Sequence, residues 1–217
     1  MRRRGAVAWL TGLPSSGKTT LGRRLVARLR AAGAAALLLD SDEVRQAMDR
    51  PAGRGEAERD AFYLALARLA ALLSRQGLAV VVAATASRRL HRARARALCP
   101  GLVEVHVAAP AEVCARRDPR GLWAGARAGR VRGLPGAGSA YQPPLRPEVT
   151  ASGGLDRTAL ADLLERMGRG AAGRATGLAH PSTRTGTRRR PKWPGAASKR
   201  PARAAPQPRQ RPSGVSR

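Results

Sequence analysis

Residues 12–19 read GLPSSGKT and satisfy the pattern G-x-x-x-x-G-K-[ST]. The apolar run VAWL at 7–10 precedes this stretch, and the amphipathic segment TLGRRLVARLRAAG follows it at 20–33. Glycines in such a loop let successive backbone N–H groups point inward around a phosphate, and the helix that follows adds its positive end. A strand, this loop and a helix in that order predict the first βα unit of a nucleotide-binding α/β fold.

Three further apolar runs follow, AALLLD at 35–40, LAVVVAATA at 78–86 and LVEVHVAA at 102–109. They are continuous rather than alternating, which is typical of parallel strands covered on both faces. Helical spacing of leucines at 20–33 and 61–77 predicts helices between the strands. We therefore predict a three-layer α/β/α doubly wound parallel sheet of the P-loop NTPase type in one domain, residues 1–167, closed by a helix at 157–167.

The segment between Cys114 and Pro147 is rich in Gly, Pro and charge, and we expect it to form a mobile lid. Residues 168–217 contain 13 Lys or Arg and no Asp or Glu, with no apolar pattern, and are predicted to be disordered. Two interpretations of this tail stay open: a tether for nucleic acid or another polyanion, or an extension without a role.

The formal net charge of +27 is carried mainly by arginine. The segment RRLHRARARAL at 88–98 predicts either a basic helix beside the site that attracts anions or the arginine-rich outer face of a connecting helix. Cys99 and Cys114 lack metal-ligand spacing, so we predict free thiols in a reducing cytoplasm. No apolar run approaches about 18 residues, so no membrane partner is expected.

The loop motif assigns roles to its residues. Lys18 is the only lysine before residue 168, and its compact ammonium is expected to reach the β- and γ-phosphates of ATP, the phosphoryl donor. The hydroxyl of Thr19 is expected to bind Mg²⁺. The residues predicted to bind ATP from this loop are Gly12, Leu13, Pro14, Ser15, Ser16, Gly17, Lys18, Thr19 and Thr20.

A second constellation, LLLDSDEVR at 37–45, places Asp40 and Asp42 where the second strand ends. In open α/β sheets this edge lies beside the phosphate loop, where ligands bind. One carboxylate can hold a water bound to Mg²⁺ while the other accepts a proton from an attacking hydroxyl. Alternatively, both can cap the helix that follows, and for Asp40 the two roles are compatible.

Four motifs follow the phosphate loop along the chain: LLDSDEVR, ATAS, RRDPRGLWAGARAG and LPGAGSAYQPPLRPEV. In these motifs and their order the chain resembles the adenylylsulfate kinases, which use MgATP to phosphorylate the 3′-hydroxyl of adenosine 5′-phosphosulfate (APS). The similarity covers residues 8–167, and RDPRGLW is its most specific part. It implies a kinase of sulfate assimilation that produces 3′-phosphoadenosine 5′-phosphosulfate (PAPS). It also implies a homodimer, the common state of related kinases.

The resemblance implies further roles. Lys18, Asp42 and Ser87 are the implied catalytic residues, with Asp42 as the base and Ser87 at the position described in that family as a phosphoserine, which direct in-line transfer does not require. Thr19 and Asp40 would belong to the metal shell, and Arg117 to the lid over ATP. The substrate-binding residues implied are Asp40, Asp42, Arg45, Arg59, Arg120 and Leu134. A solvated helix face is the alternative for Arg117.

The chain departs from the family at the acceptor side. Arg54 and Leu134 align with the two phenylalanines that clamp the APS adenine, and Phe62 aligns with an asparagine near the phosphosulfate. Two alternative functions therefore stay open. One is a P-loop kinase of another nucleotide or hydroxyl metabolite, and the other is a degenerate nucleotide-binding protein that acts through its basic tail on nucleic acid.

Overall fold

Five parallel strands form the central sheet of the computed structural model, which describes residues 4–48 and 55–171. Their order is β2-β3-β1-β4-β7. The strands, including a small pair outside this sheet, are β1 (Val7–Thr11), β2 (Ala36–Asp40), β3 (Ala79–Ala83), β4 (Val103–Val107), β5 (Leu134–Pro135), β6 (Gly138–Ser139) and β7 (Val149–Ala151). The helices are α1 (Lys18–Ala31), α2 (Ser41–Ala47), α3 (Glu56–Arg75), α4 (Arg89–Leu98), α5 (Ala111–Arg117), α6 (Leu122–Arg127) and α7 (Arg157–Ala171).

Alternate residues of β1 show why its apolar run is continuous. Ala8 and Leu10 face a core built with α1 and α7, whereas Val7 and Trp9 face a second core built with α3. All four side chains are buried, because helices cover both faces of the sheet. The predicted three-layer doubly wound fold is confirmed.

Two details differ from the prediction. The fifth strand, β7, escaped it because its three residues, VTA, are too short a run to show periodicity. The helix predicted to close the domain begins at Arg157 as expected but ends at Ala171, four residues past the predicted end. The rest of the predicted tail, residues 172–217, lies outside the described residues.

The segment predicted as a lid has its own secondary structure, α5, α6 and the two-stranded pair β5–β6. Its small core contains Cys114, Trp123 and Leu134, packed with Ala109. Both cysteines are buried free thiols, as predicted. Within 4–48 and 55–171, no helix is both long and apolar enough to cross a membrane.

Candidate active site

The loop between β1 and α1 has the conformation that its glycines predict. Gly17 adopts φ 103° immediately before α1, and Ser15 also has a positive φ, 66°. The hydroxyl oxygens of Ser15 and Ser16 are buried, and neither has a hydrogen-bond partner within the described residues. The backbone of Ser15 and Gly17 lines the cleft at the positive end of α1, which makes the loop a site for an anionic group.

Lys18 is held across the loop. Its Nζ donates hydrogen bonds to the carbonyl oxygens of Gly12, at 3.0 Å, and Leu13, at 2.8 Å. Burial lowers the pKa of its ammonium from 10.5 to about 8, against the opposing attraction of Asp42. The loop therefore points one partly desolvated cation into the site.

Thr19 and Asp40 connect the phosphate loop to the end of β2. The hydroxyl of Thr19 donates to Oδ2 of Asp40 at 2.6 Å. The other oxygen of Asp40 accepts the backbone N–H of Asp42 at 2.9 Å and so caps α2. The predicted capping role of Asp40 is confirmed, and the same buried carboxylate faces the loop.

Asp42 contacts the lid through Arg120. It lies in the first turn of α2, and its Oδ2 accepts a hydrogen bond from Nη1 of Arg120. Both side chains are about half exposed. The residue pair therefore brings together the predicted base and a predicted substrate-binding arginine at the surface of the cleft.

The lid is fixed to the phosphate loop by three contacts. The indole Nε1 of Trp123 donates to the carbonyl of Pro14 at 3.2 Å. Arg117 is exposed, and its Nη1 donates to the carbonyl of Ser16 at 3.5 Å, so this arginine lies at the edge of the phosphate loop. Gly136 adopts φ 89°, a conformation that favours glycine, and it lies close to the side chain of Leu13, where a Cβ would be 2.7 Å from Cδ2.

These elements enclose one cleft of about 1610 Å³. Most of the predicted site residues line it: Pro14, Ser15, Gly17, Lys18, Thr19, Thr20, Asp40, Asp42, Arg45, Arg59, Ser87, Arg117, Arg120 and Leu134. Gly12 and Ser16 are buried within the loop and do not line the cleft, and Leu13 packs on the lid core. Lys18, Arg45, Arg59, Arg117, Arg120, Arg130 and Arg132 give the cleft seven cationic side chains against four carboxylates. The electrostatics favour a ligand of several negative charges.

Three predicted acceptor-side residues have different environments. The guanidinium carbon of Arg45 lies 3.5 Å from the ring centroid of Phe62. Ser87 is buried where the chain leaves β3, and its carbonyl accepts the N–H of Gln142 at 2.8 Å. Leu134, 6% exposed, belongs mainly to the core of the lid and shows only an edge to the cleft. Arg54, the partner proposed for Leu134, lies outside the described residues.

Sequence reasoning missed the loop at 152–156. Gly153, Gly154 and Asp156 line the cleft beside the phosphate loop. A Cβ at Gly17 would lie 2.5 Å from the backbone nitrogen of Gly154, so the two loops touch backbone to backbone. The adjacent glycines, Gly153 and Gly154, were the available signal for a loop at this point.

The interpretation of α4 as the arginine-rich outer face of a connecting helix holds for the exposed Arg89 and Arg96 but not for Arg92, and no arginine of α4 lines the cleft. Arg92 is 3% exposed and donates from Nε to Glu104 at 2.6 Å, and Arg96 pairs with Glu148 at 2.8 Å. His91 lies 2.8 Å from Asp60, which also pairs with Arg94. The arginines of α4 are thus largely neutralised by carboxylates on other elements, and they tie the helix to its neighbours.

Comparison with known proteins gives consistent results. A family model described as adenylylsulphate kinase matches residues 4–152. An adenylyl-sulfate kinase of Synechococcus sp. is 40% identical over 149 residues, covering 69% of this chain and 85% of the relative. The solved structure of a Mycobacterium tuberculosis APS kinase in complex with AMPPNP and APS is 35% identical with a TM-score of 0.70, and the match covers 75% of this chain and 99% of that one.

A third similar protein bears on assembly. The hexameric APS kinase from Thiobacillus denitrificans is 26% identical with a TM-score of 0.54, and the match covers 78% of this chain and 30% of that chain.

Proposed function

The chain belongs to the adenylyl-sulfate kinase family and transfers a phosphoryl group from ATP to a hydroxyl, and we propose that its acceptor is the 3′-hydroxyl of adenosine 5′-phosphosulfate. The products are then ADP and PAPS, which places the enzyme in sulfate assimilation. The observation that carries this proposal is the convergence of Lys18, the Thr19–Asp40 pair and Asp42 on one cationic cleft.

The donor side follows from the loop. Its inward-facing backbone and the start of α1 hold the phosphates of ATP, while Lys18 can exchange its loop carbonyls for phosphate oxygens. Arg117, which reaches the carbonyl of Ser16, lies at the side of the loop where lid and nucleotide meet. These residues position the γ-phosphoryl group and stabilise the charge that develops on it.

The residues beside the loop fit Mg²⁺. Thr19 Oγ1 and Asp40 Oδ2 are hard oxygen ligands 2.6 Å apart, and the part of the chain described holds no cluster of three or more His, Cys, Asp or Glu. That suits a cation that takes one or two protein oxygens and completes its shell with phosphate and water. When bound, Mg²⁺ neutralises charge on the β- and γ-phosphates.

Asp42 is the residue we propose as base. It lies where β2 passes into α2, with its carboxylate on the cleft. As the acceptor 3′-oxygen bonds to the γ-phosphorus, the bond to the oxygen bridging the β- and γ-phosphorus breaks, ADP leaves, and the hydroxyl proton passes to Asp42. Arg120 must release Asp42 during this cycle, and it can then pair with phosphoryl oxygens instead.

Arg45 and Arg59 are proposed to bind the phosphosulfate. Both line the cleft on the side of α2 and α3, and a planar guanidinium donates two parallel hydrogen bonds to such oxygens. Ser87, buried where β3 ends, is proposed to contact the site without forming a covalent intermediate, because in-line transfer needs none.

The test is ADP release by the full chain with MgATP, comparing APS with a panel of other nucleotides and hydroxyl metabolites. We expect saturable turnover with APS, lost in Lys18→Ala and reduced at least a hundredfold in Asp42→Asn. Turnover with another acceptor alone would refute APS as substrate. If Lys18→Ala kept most of the activity, the loop assignment would be wrong.

The assembly remains a separate proposal. We propose a homodimer, as the family resemblance implies, although one similar protein is hexameric. Light scattering on the purified chain distinguishes these states, and a monomer at micromolar concentration would contradict the proposal.

A further inference from the structure

Phe62 is the only phenylalanine among 217 residues. Its ring lies under the guanidinium of Arg45, whose Cζ is 3.5 Å from the ring centroid. That separation is van der Waals contact with the ring face, the geometry of a cation–π pair. In a chain with 3% aromatic residues, the one Phe thus packs against an arginine that lines the cleft.

The ring is supported from behind. Phe62 and Tyr63 are each 8% exposed and meet edge to face at 5.5 Å between centroids. Tyr63 packs at 4.4 Å on the ring of His91, which is hydrogen-bonded to Asp60 at 2.8 Å. This stack joins α3 to α4 and keeps the ring face from moving when Arg45 moves.

Arg45 and Tyr63 line the cleft, whereas Phe62 lies behind Arg45. Arg45 belongs to the last turn of α2, a helix of only seven residues, so the helix alone restrains its long side chain weakly. A guanidinium with one face on a ring keeps its N–H groups, which lie in its plane, available to an anion. Burial raises the pKa of Tyr63, against the opposing effect of a hydrogen bond with Arg45, so Tyr63 is a neutral partner that occupies part of the guanidinium and leaves its other N–H groups to an anion.

We propose that Phe62 is a positioning residue that orients Arg45 toward the anionic group of the acceptor. The inference rests on the proposed function, since it assigns the acceptor's charged end to Arg45.

The test measures steady-state kinetics of the full chain carrying Phe62→Leu, with acceptor and ATP varied separately. We expect the KM for the acceptor to rise about fivefold, with kcat within about twofold and the KM for ATP unchanged. Phe62→Tyr keeps the ring face and should restore the wild-type KM. Leu66→Ala, which removes a buried side chain one turn along α3 without touching Arg45, is the matched control for packing.

A double-mutant cycle separates positioning from a structural role. In an Arg45→Gln background, Phe62→Leu should change the acceptor KM by less than about 1.5-fold, because its effect passes through Arg45. An undiminished effect in that background, or an equal rise in the KM of Leu66→Ala, would overturn the inference.

The two proposals fail in different ways. Wild-type turnover of APS with no change in Phe62→Leu overturns the inference alone and leaves the function standing. Wild-type turnover of another anionic acceptor alone refutes APS, and the same variants then test Phe62 on that acceptor. Failure of the wild type with every acceptor overturns both.

Discussion

The hydroxyl of Thr19 lies 2.6 Å from Oδ2 of Asp40, and this hydrogen bond joins the first turn of α1 to the end of β2. The same carboxylate caps α2 through the N–H of Asp42. One buried side chain therefore positions both the predicted metal ligand and the predicted base.

Replacing Asp40 separates these roles. Asp40→Asn keeps a capping oxygen but loses the charge, so we expect turnover to fall at least tenfold at millimolar Mg²⁺ and to recover partly as Mg²⁺ is raised. Asp40→Ala also loses the cap, which costs about 1 kcal/mol of unfolding free energy. Magnesium titration and urea denaturation measure the two effects. Equal Mg²⁺ dependence in Asp40→Asn and the wild type would remove Asp40 from the metal shell.

The lowered pKa of Lys18 predicts that kcat/KM for ATP depends on pH. Its pKa of about 8 means that the ammonium of the free enzyme loses its proton above pH 8, and with it the charge that binds phosphate. We expect kcat/KM for ATP to fall about tenfold per pH unit above that value. Lys18→Arg stays charged, so its lower kcat/KM should show no such fall. A fall that persists in Lys18→Arg would assign the titration to another group.

The same shift affects stability. The folded-state pKa of Lys18 lies below its ordinary value of 10.5, so the unfolded chain binds the extra proton between those values, and unfolding free energy should rise with pH from about 8 to 10.5. At pH 7 Lys18→Met should therefore melt a few degrees higher than the wild type while being inactive. Calorimetry of the ligand-free protein checks this, and an unchanged or lower melting temperature would contradict it.

Arg120 is expected to matter for catalysis and little for stability. Its pair with Asp42 is about half exposed on both sides, and such pairs contribute about 0–1 kcal/mol. Arg120→Ala should leave the melting temperature within about 3 °C of the wild type but lower kcat at least tenfold. Arg127→Ala, an exposed lid arginine outside the cleft lining, is the control. Equal losses in both variants would indicate a general charge effect.

Trp123 should hold the lid on the phosphate loop. Trp123→Phe removes the hydrogen bond to the Pro14 carbonyl and should cost about 1 kcal/mol, whereas Trp123→Ala also empties the lid core and should cost about 3 kcal/mol. Both should raise the KM for ATP. Denaturation and ATP kinetics test this prediction. Destabilisation without any change in the KM for ATP would show that the contact between the lid and the phosphate loop does not affect ATP binding.

Arg92 offers a stability contrast within one helix. Arg92→Met leaves Glu104, a largely buried carboxylate, without its closest partner, and should destabilise the fold by about 3 kcal/mol. Arg94→Met removes a longer, partly exposed contact to Asp60 at 3.6 Å and should cost less than about 0.5 kcal/mol. Equal costs in thermal or urea unfolding would show that burial does not set the strength of these pairs.

The fold and the donor side were predictable because their signals are local. A phosphate loop between a strand and a helix determines where Lys18 and Thr19 lie, and apolar runs gave four of the five sheet strands. Arg92 was not predictable, because its partners Glu104 and the Gln142 carbonyl lie 12 and 50 residues away in the chain. The motif that contains Leu134 predicted a residue that contacts the substrate. In the structure Leu134 packs chiefly in the core of the lid.

The contact between Gly17 and Gly154 restricts how this sequence can change. A Cβ at Gly17 would meet the backbone of Gly154, and one at Gly154 would lie 2.7 Å from Cβ of Thr20. At Gly17 the nearest atoms belong to the backbone, and at Gly154 the nearest atom is a Cβ, so shortening a neighbouring side chain would relieve neither overlap. A side chain at either glycine therefore requires the backbone of the two loops to move apart, which would change the shape of the cleft beside the phosphate loop.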